Sequence, residues 1–437
     1  MGASNLPKRS PKPSPAGGGM KRRQFLCATL ASLGVPAWVR GEGLSPLAPF
    51  DRCMEQFMAA RQIPGGVLAI LQQGRLIYAQ GYGYANREDQ IPARPTTLFR
   101  LASLSKPITA LAILRLAQAG RLSLDEPAFE RLGLAPLPGK TRDPRLERIT
   151  IRQLLQHTGG WDRDQSGDPM FMSETIAKAC RVPSPPGPRD IIRYMLGRPL
   201  DFDPGTRYAY SNFGYCVLGR IIEAVTRHPY EAWVRRDVLA PLGLHSLRLG
   251  RSLIDQAHPA EARYYMADQR TAPSVFAGIS SPVSAPYGSF CLEAMDAHGG
   301  WIGSAVDLMR LSAALLRRDN ALLQPQWWQE MVSPPAPPVA REAGGGVNEV
   351  YYGCGWLVRP TRDPRGYNFW HSGSLPGTFT LWVNLSRGMA WAVLFNQRRE
   401  KEGLPDVEID GLLHRAAAEV REWPDTDEFP RLSSAPG

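Results

Sequence analysis

The sequence predicts an α+β fold in which an antiparallel sheet, flanked by helices, is built from both ends of the chain. Two pairs of apolar runs, one near each end, flank short polar turns of the kind that close β-hairpins. Between them, residues 126–289 show mainly helical periodicity. The simplest architecture pairs the terminal strands in one sheet, covers it with the terminal helices and inserts the middle of the chain as an all-helical lobe.

The N-terminal part of the sheet lobe is predicted to contain a helix, a hairpin and a second helix. Apolar side chains of residues 50–60 share one helical face, and the runs within 67–85 flank the turn at 72–75. Residues 103–119 are predicted to form one apolar helix, which tolerates Pro107 in its first turn.

Later elements follow the same rules. The predicted helices are 149–157, 214–226, 299–316 and 408–423, and the second hairpin joins strands 378–385 and 389–395. These elements predict a single domain over residues 45–425, with a sheet lobe (45–125 and 290–425), a helical lobe (126–289) and a cleft between them.

Charge and hydropathy exclude two classes of partner. Of the net charge of +10, six positive charges come from residues 1–37, which contain no acidic residue. The remainder is too weakly basic, and too evenly spread, for a nucleic-acid surface. No apolar run is long enough for a membrane-spanning helix in the mature chain.

Residues 1–37 have the pattern of a disordered tail followed by an export signal. Residues 20–37 begin with positive charges, continue with a modest apolar stretch and end with the small-residue site Val35-Pro36-Ala37. The pair Arg22-Arg23 resembles a twin-arginine motif, with an ordinary secretory signal as the alternative. We therefore expect an exported protein, periplasmic or extracellular.

The cysteines do not suggest a metal site or a disulfide framework. Outside the signal they are odd in number and show no Cys-x-x-Cys spacing: Cys53, Cys180, Cys216, Cys291 and Cys354. We expect mostly buried thiols, with one disulfide left open, and neither a metal nor another cofactor.

The stretch LASLSKPITA (101–110) carries the strongest chemical signal. Residues three apart share a helical face, so Lys106 should face Ser103 and not Ser105. A serine hydroxyl needs a base to become a nucleophile, and a desolvated lysine amine can act as that base where arginine cannot. Alone, the Ser-x-x-Lys pattern is weakly specific and favours a capping serine followed by a solvated lysine.

The block TLFRLASLSKPITALA (97–112) resembles the start of the serine β-lactamase and penicillin-binding superfamily. It is most similar to the branch of class C β-lactamases, DD-peptidases, D-aminopeptidases and family VIII esterases. Further landmarks of that branch follow in order: LLQHTGG (154–160), Tyr210-Ser211-Asn212, GGWIGSAVDLMRL (299–311) and HSGSLPG (371–377). The resemblance covers roughly residues 45–400 and implies a β-lactamase/DD-peptidase-like fold.

Carried over residue by residue, the resemblance implies that Ser103 is the acylated nucleophile and Lys106 its base. Tyr210 would relay the proton and help to activate the deacylating water, and which of Lys106 and Tyr210 is the working base stays open. Asn212 would bind the substrate amide or the lysine. A merely buried Tyr210 and a helix-capping Asn212 are the alternatives.

The resemblance also implies an oxyanion hole made of the backbone N–H groups of Ser103 and Ser374, with His371 and Gly373 in the substrate-binding strand. Class C β-lactamases carry a lysine where this chain has His371, and that lysine helps to hold the β-lactam carboxylate. Histidine is uncharged for much of its time at neutral pH. The sequence therefore favours a peptidase or an esterase over an efficient β-lactamase.

Four other residues have structural interpretations. His157 and His298 are predicted to be structural hydrogen-bonding residues, and Trp161 and Trp301 either line the cleft or belong to the core.

We therefore expect a serine hydrolase that acts through an acyl-enzyme on an ester, a D-amino-acid peptide or amide, or a β-lactam. The alternative is a penicillin-binding or peptidoglycan-sensing protein that acylates with little turnover. The expected partner is a small-molecule or peptidoglycan-type substrate, chosen by cleft loops at 162–190 and 262–298. Activity should rise from neutral to mildly alkaline pH, where Lys106 and Tyr210 can act as bases.

Overall fold

An eight-stranded antiparallel sheet dominates the described part of the computed structural model, which covers residues 46–317, 322–342, 344–363, 366–398 and 404–433. The predicted tail and export signal, residues 1–37, lie outside the described residues. The strands are β1 (Gly65–Gln72), β2 (Arg75–Asn86), β3 (Ile91–Pro92), β4 (Phe99–Arg100), β5 (Arg248–Leu249), β6 (Tyr265–Met266), β7 (Thr271–Ala272), β8 (Val283–Ser284), β9 (Trp301–Gly303), β10 (Tyr351–Tyr352), β11 (Leu357–Pro360), β12 (Tyr367–Leu375), β13 (Thr378–Leu385), β14 (Met389–Phe395) and β15 (Gln397–Arg398).

Helices cover the sheet and are the main regular structure between β4 and β9. The α-helices are α1 (Ala48–Arg61), α2 (Ser105–Gln118), α3 (Ile151–Leu155), α4 (Arg163–Ser166), α5 (Ser173–Cys180), α6 (Pro188–Leu196), α7 (Asn212–Thr226), α8 (Tyr230–Trp233), α9 (Ala305–Leu316), α10 (Pro325–Val332), α11 (Glu408–Glu419) and α12 (Phe429–Ser433). A π-helical segment, Val234–Leu239, continues α8, and single 3-10 turns include Ala102–Leu104 and Pro169–Phe171.

The two ends of the chain meet in the middle of the main sheet. Its strand order is β10-β11-β12-β13-β14-β1-β2-β3, and β1 pairs with β14 in antiparallel register from Gly66 opposite Phe395 to Gln72 opposite Met389. The predicted fold class is therefore confirmed. Both predicted hairpins are present as β1–β2 and β13–β14.

Both faces of the sheet are buried, so apolar residues dominate both faces of its central strands, and β14 is apolar throughout. Along β1, Val67 and Ala69 face the larger core beneath α2, α7 and α9, whereas Leu68 and Ile70 face a second core beneath α1 and α11. Successive side chains of a strand point to opposite faces. A sheet covered on both sides needs this continuous apolar pattern instead of an alternating one.

Three predicted elements differ in detail from the structure. The helix predicted over 103–119 begins at Ser105 and follows a separate 3-10 turn. Residues Trp301–Gly303 form strand β9 and not the start of a helix, because they pair with β4 and β5 while α9 begins only after its capping Ser304. The strands β5 to β8 also lie within the lobe that was predicted to be all-helical. Each has two residues, which is too short for a hydrophobic period to indicate a strand.

Several absences concern only the residues described above. Among them no helix is long and apolar enough to cross a membrane. No cluster of histidine, cysteine or acidic residues in this part of the chain has the arrangement of a metal site. The five cysteines predicted as thiols are free, three of them buried. Trp161 and Trp301, predicted either to line the cleft or to belong to the core, are both buried in the core.

Candidate active site

A strained turn presents Ser103 at the start of α2. Ala102 has φ of +49°, a left-handed conformation that L residues with a side chain rarely adopt. This turn interrupts the helical path between β4 and α2, and Ser103 lies in it, partly exposed, while Ala102 and Leu104 are buried. Backbone strain of this kind persists where packing on all sides fixes it, often at functional sites.

Lys106 projects from the first turn of α2 into the protein and is fully buried. Its Nζ lies 3.2 Å from Ser103 Oγ, 2.7 Å from Asn212 Oδ1 and 3.1 Å from the His298 carbonyl oxygen. Burial lowers the pKa of Lys106 well below its usual value, the carboxylate of Asp168 raises it and Arg163 lowers it. The side chain of Ser105, by contrast, accepts a hydrogen bond from the backbone N–H of Trp301.

Asn212 connects Lys106 to a carboxylate. It is the first residue of α7, whose N-terminus is capped by Ser211 through a hydrogen bond from the N–H of Gly214. Asn212 accepts from Lys106 through Oδ1 and donates from Nδ2 to Asp168 Oδ2 at 2.6 Å. The amide therefore bridges two other side chains, and the capping role is taken by Ser211.

Tyr210 covers Lys106 from the other side. Lys106 Nζ lies 4.6 Å from the centroid of the Tyr210 ring, and the Ser103 side chain is near enough to the tyrosine hydroxyl to affect its pKa. Burial raises the pKa of Tyr210, whereas the Ser103 side chain opposes that rise. The structure thus brings together Ser103, Lys106 and Tyr210, the three residues predicted to be catalytic.

His371 is buried in β12 and is held in one tautomer by two partners. Its Nδ1 lies 2.6 Å from the carbonyl oxygen of Ser372 and must carry the proton, so Nε2 accepts from the Tyr352 hydroxyl at 2.9 Å. Burial, followed by the nearby Lys106, lowers the pKa of His371 to about 3. At neutral pH this side chain therefore carries no charge.

Strand β12 packs its backbone directly against the Ser103 turn at Gly373. A Cβ added there would lie 2.3 Å from Thr380 Oγ1, 2.5 Å from the carbonyl oxygen of Leu101 and 3.0 Å from the backbone N of Ser103. Only glycine allows this approach. The next residue, Ser374, is exposed and its hydroxyl accepts a hydrogen bond from Arg398.

The two buried histidines near the site have structural contacts. His157 Nδ1 accepts from the backbone N–H of Ser211, and the carbonyl of His298 accepts from Lys106. Burial, followed by Lys106, lowers the pKa of both imidazoles well below its usual value. Among the described contacts, neither imidazole ring touches Ser103. The two histidines instead bind Ser211 and Lys106, which lie around the proposed nucleophile.

Sequence reasoning missed three side chains of this site: Asp168, Tyr352 and Arg163. Asp168 and Arg163 lie within the loop predicted to line the cleft, but nothing in their local sequence distinguishes them from other loop residues. Tyr352 is one of two adjacent tyrosines in the short strand β10. Only the tertiary structure brings these residues to Asn212, His371 and Tyr210 respectively.

This fold and this serine–lysine–tyrosine arrangement define a class of protein that sequence comparison identifies directly. The sequence model of the Beta-lactamase family matches residues 50–414, and the chain belongs to that family.

Two characterised relatives are similar over parts of their length. Protein flp of Staphylococcus aureus (strain COL) is 33% identical over 192 residues, which are 44% of this chain and 36% of that protein. Esterase EstB of Burkholderia gladioli is 34% identical over 214 residues, 46% of this chain and 51% of that esterase. The alignments therefore span between about a third and a half of these relatives.

Solved structures show the same fold over most of the chain. The octameric penicillin-binding protein homologue from Pyrococcus abyssi has a TM-score of 0.65 and 25% identity, with 86% of this chain and 79% of that chain covered. EstCE1, described as a hydrolase with promiscuous acyltransferase activity, has a TM-score of 0.64 and 23% identity, with 85% of this chain and 98% of that chain covered. D-amino acid amidase from Ochrobactrum anthropi SV3 has a TM-score of 0.63 and 23% identity, with 86% of this chain and 99% of that chain covered.

Proposed function

We propose that this protein is a serine hydrolase that forms an acyl-enzyme on Ser103 and hydrolyses carboxylic esters, with amides as slower substrates. The observation that carries the proposal is the contact of 3.2 Å between Ser103 Oγ and the Nζ of a fully buried lysine. A nucleophilic serine needs a base within hydrogen-bond reach, and burial favours the neutral amine.

The hydrogen bonds of Lys106 support its role as the base. A neutral amine has two N–H donors and one lone pair. The oxygens of Asn212 and His298 accept two donors, which leaves the lone pair for the hydroxyl proton of Ser103. In acylation, the proton moves from Ser103 Oγ to Lys106 Nζ while Oγ bonds to the substrate carbonyl carbon. When the tetrahedral intermediate collapses, the C–O bond to the alcohol breaks and the alcohol takes up this proton.

Tyr210 and the backbone complete the proposed mechanism. The Tyr210 hydroxyl, whose pKa the Ser103 side chain affects, would pass the proton to the leaving alcohol and later accept one from the hydrolytic water. Because burial raises the pKa of Tyr210, we assign it a relay role with Lys106 as the acceptor. The N–H groups of Ser103 and Ser374 would bind the oxyanion, since Gly373 allows β12 to approach the Ser103 turn.

The neutral state of His371 favours an ester over a β-lactam. A β-lactam carries a carboxylate beside its reactive ring, and an imidazole whose pKa is about 3 offers it no charge at neutral pH. Two similar proteins, EstB and EstCE1, are described as an esterase and a hydrolase. An amidase is also among the structural neighbours, so amides are retained as the second substrate class.

The proposal is tested by following p-nitrophenol release from p-nitrophenyl butyrate at pH 8, beside the opening of a chromogenic cephalosporin. We expect ester turnover that Ser103→Ala abolishes. Ser105→Ala is the matched control, because it removes a buried hydroxyl two residues away whose partner is a backbone N–H. This control should retain most of the activity and lose about 1 kcal/mol of stability.

A burst of p-nitrophenol followed by negligible turnover would indicate the alternative, a penicillin-binding protein that acylates and barely deacylates. Mass spectrometry would then locate the adduct on Ser103. If neither substrate reacts, and no adduct forms with either one, the hydrolase proposal is wrong. Activity that survives Ser103→Ala would remove Ser103 from the mechanism.

A further inference from the structure

A second cation lies beside the proposed nucleophile, on the helical-lobe side of the site. The Arg163 guanidinium lies over the ring of Tyr210, with its Cζ 4.9 Å from the ring centroid. Lys106 Nζ contacts the same ring at 4.6 Å from the centroid. Arg163 is therefore one aromatic ring away from the groups that bind Ser103, and arginine is charged at every working pH.

The hydrogen-bond donors of Arg163 are available. Its side chain is 46% exposed, and its ion pair is a contact of 4.0 Å with Asp164, whose own side chain is 92% exposed. No described residue accepts a hydrogen bond from its guanidinium. Arg207 of the neighbouring loop, by contrast, donates to Asp162 at 2.8 Å. An arginine at the site whose guanidinium donates to no described residue can bind a planar anion in bidentate fashion.

The short helix α4 holds Arg163 in place although it has only one turn. Asp162 caps that turn by accepting from the backbone N–H of Asp164, and it also binds Arg207. The backbone N–H of Asp162 and the hydroxyl of Ser166 both donate to Asp201. The turn is thus tied at both ends to the loop that leads to Tyr210, which limits the entropy lost when Arg163 binds a ligand.

The surroundings of Arg163 fit a ligand with an apolar body and an anionic end. Tyr208, 43% exposed, is close enough to Arg163 for the guanidinium to lower its pKa, and it packs edge-on against His157 with ring centroids 6.0 Å apart. The carboxylate of Asp168 accepts from Asn212 and from the N–H of Met170, and among the described residues no hydrogen bond joins it to Arg163.

We propose that Arg163 is a specificity-determining residue that binds a carboxylate carried by the substrate, away from its scissile carbonyl. The inference rests on the proposed function, because it concerns the substrate of the Ser103 site. It places the substrate-binding cation of this chain on α4, whereas β12 offers the uncharged His371. The preferred substrate class is an ester or amide with an apolar chain ending in a carboxylate.

The test compares two esters that differ by one charge, mono-p-nitrophenyl adipate and p-nitrophenyl hexanoate, with the full chain at pH 8. Arg163→Gln should lower the ratio of kcat/KM for the adipate to kcat/KM for the hexanoate by about tenfold, because any effect on Lys106 or Tyr210 acts on both esters alike. Arg163→Lys should retain part of the preference, since it keeps the charge and loses the bidentate geometry.

A second pair of esters locates the carboxylate. The butyrate ester of m-hydroxybenzoate carries it on the alcohol side, and phenyl butyrate is its neutral partner. If the Arg163→Gln effect appears with the alcohol-side pair and not with the adipate pair, the carboxylate belongs to the leaving group, and Arg163 still binds it. The matched control is Arg52→Gln, which removes a guanidinium of similar exposure paired with Glu419 on the opposite face of the sheet.

Three outcomes separate the two proposals. If wild type hydrolyses none of these esters, the proposed function fails first. If wild type hydrolyses them and Arg163→Gln lowers kcat/KM equally for charged and neutral esters, Arg163 acts through Tyr210 and the specificity proposal is overturned. If Arg163→Gln leaves kcat/KM unchanged for all four esters, the specificity proposal is also overturned, while the proposed hydrolase function stands.

Discussion

The carboxylate of Asp168 lies 2.6 Å from Asn212 Nδ2 and so turns the Oδ1 atom of that amide towards Lys106. A carboxylate only accepts hydrogen bonds, so it can bind only the NH₂ end of the amide. The orientation of Asn212 is thereby fixed by a residue that does not touch Ser103. Asp168 acts as a positioning residue for the proposed base.

Replacing Asp168 by Asn should change both the geometry and the charge around Lys106. The new amide can face Asn212 with either end, so we expect kcat to fall by about tenfold through loss of the fixed orientation. Because the carboxylate raises the pKa of Lys106, its removal should also move the acid limb of the kcat/KM profile to lower pH.

The pH profile distinguishes this role from simple destabilisation. Asp164→Asn removes an exposed carboxylate four residues away and should leave both kcat and the acid limb unchanged. An acid limb at the same pH in Asp168→Asn and wild type would show that Asp168 does not act on the proposed base.

Gly373→Ala should strongly reduce activity without unfolding the chain. The added Cβ would lie 2.5 Å from the carbonyl of Leu101 and 3.0 Å from the N of Ser103, so β12 must move away from the proposed oxyanion hole. Loss of one such donor typically lowers kcat by about 100-fold or more. Steady-state kinetics should be compared with Gly344→Ala, where an added Cβ meets no atom within 4 Å. Equal activity of the two variants would place the oxyanion site elsewhere.

The neutral, buried His371 should make the protein less stable in mild acid. Its folded pKa of about 3 lies below the ordinary value of 6.5, so between these two pH values the unfolded chain binds a proton that the folded chain does not. Stability therefore falls as pH drops below 6.5. For His371 alone the loss at pH 5.5, relative to pH 8, is about 1.4 kcal/mol.

Urea unfolding of wild type and His371→Gln at pH 8 and pH 5.5 measures this contribution. Glutamine keeps an acceptor for Tyr352 but does not titrate. The difference in stability between the two proteins should therefore change by about 1.4 kcal/mol between the two pH values. A difference that stays constant with pH would mean that the pKa of His371 is the same in the folded and the unfolded protein.

Arg220 on α7 and Asp296 form a buried ion pair, and removing one of its two charges should destabilise the protein more than removing both. Both side chains are buried and in direct contact. Arg220→Met leaves an uncompensated carboxylate and should cost about 3 to 5 kcal/mol of unfolding free energy. Adding Asp296→Leu should recover most of that loss, because an apolar pair of similar volume avoids the buried charge. A double variant less stable than Arg220→Met alone would contradict this explanation.

The fold class and the facing of Ser103 and Lys106 could be predicted from short local patterns, whereas Tyr210 and Asn212 were predicted only from the resemblance to the β-lactamase and penicillin-binding superfamily. Hairpins, the amphipathic face of α1 and the spacing of Ser103 and Lys106 involve residues at most a few positions apart. Even so, the break before α2 escaped prediction. It depends on the positive φ of Ala102, which alanine does not signal as glycine would.

Long-range partners could not be predicted from local patterns. Asp168 meets Asn212 across 44 positions, and His371 meets Tyr352 across two different strands. Strand β9 was mistaken for helix because its three residues are apolar and precede a helix, so periodicity cannot separate the two states over so short a run. Pairing with β4 and β5, and not propensity, decides its conformation.

Strand β14, which joins the two ends of the chain at the centre of the sheet, has a consequence for biosynthesis. In the folded sheet, β12 is joined to β1 only through β13 and β14. The sheet that holds Gly373 against Ser103 is therefore complete only once residue 395 has been synthesised. Until then the growing chain contains Ser103 without the strand proposed to supply the second oxyanion donor.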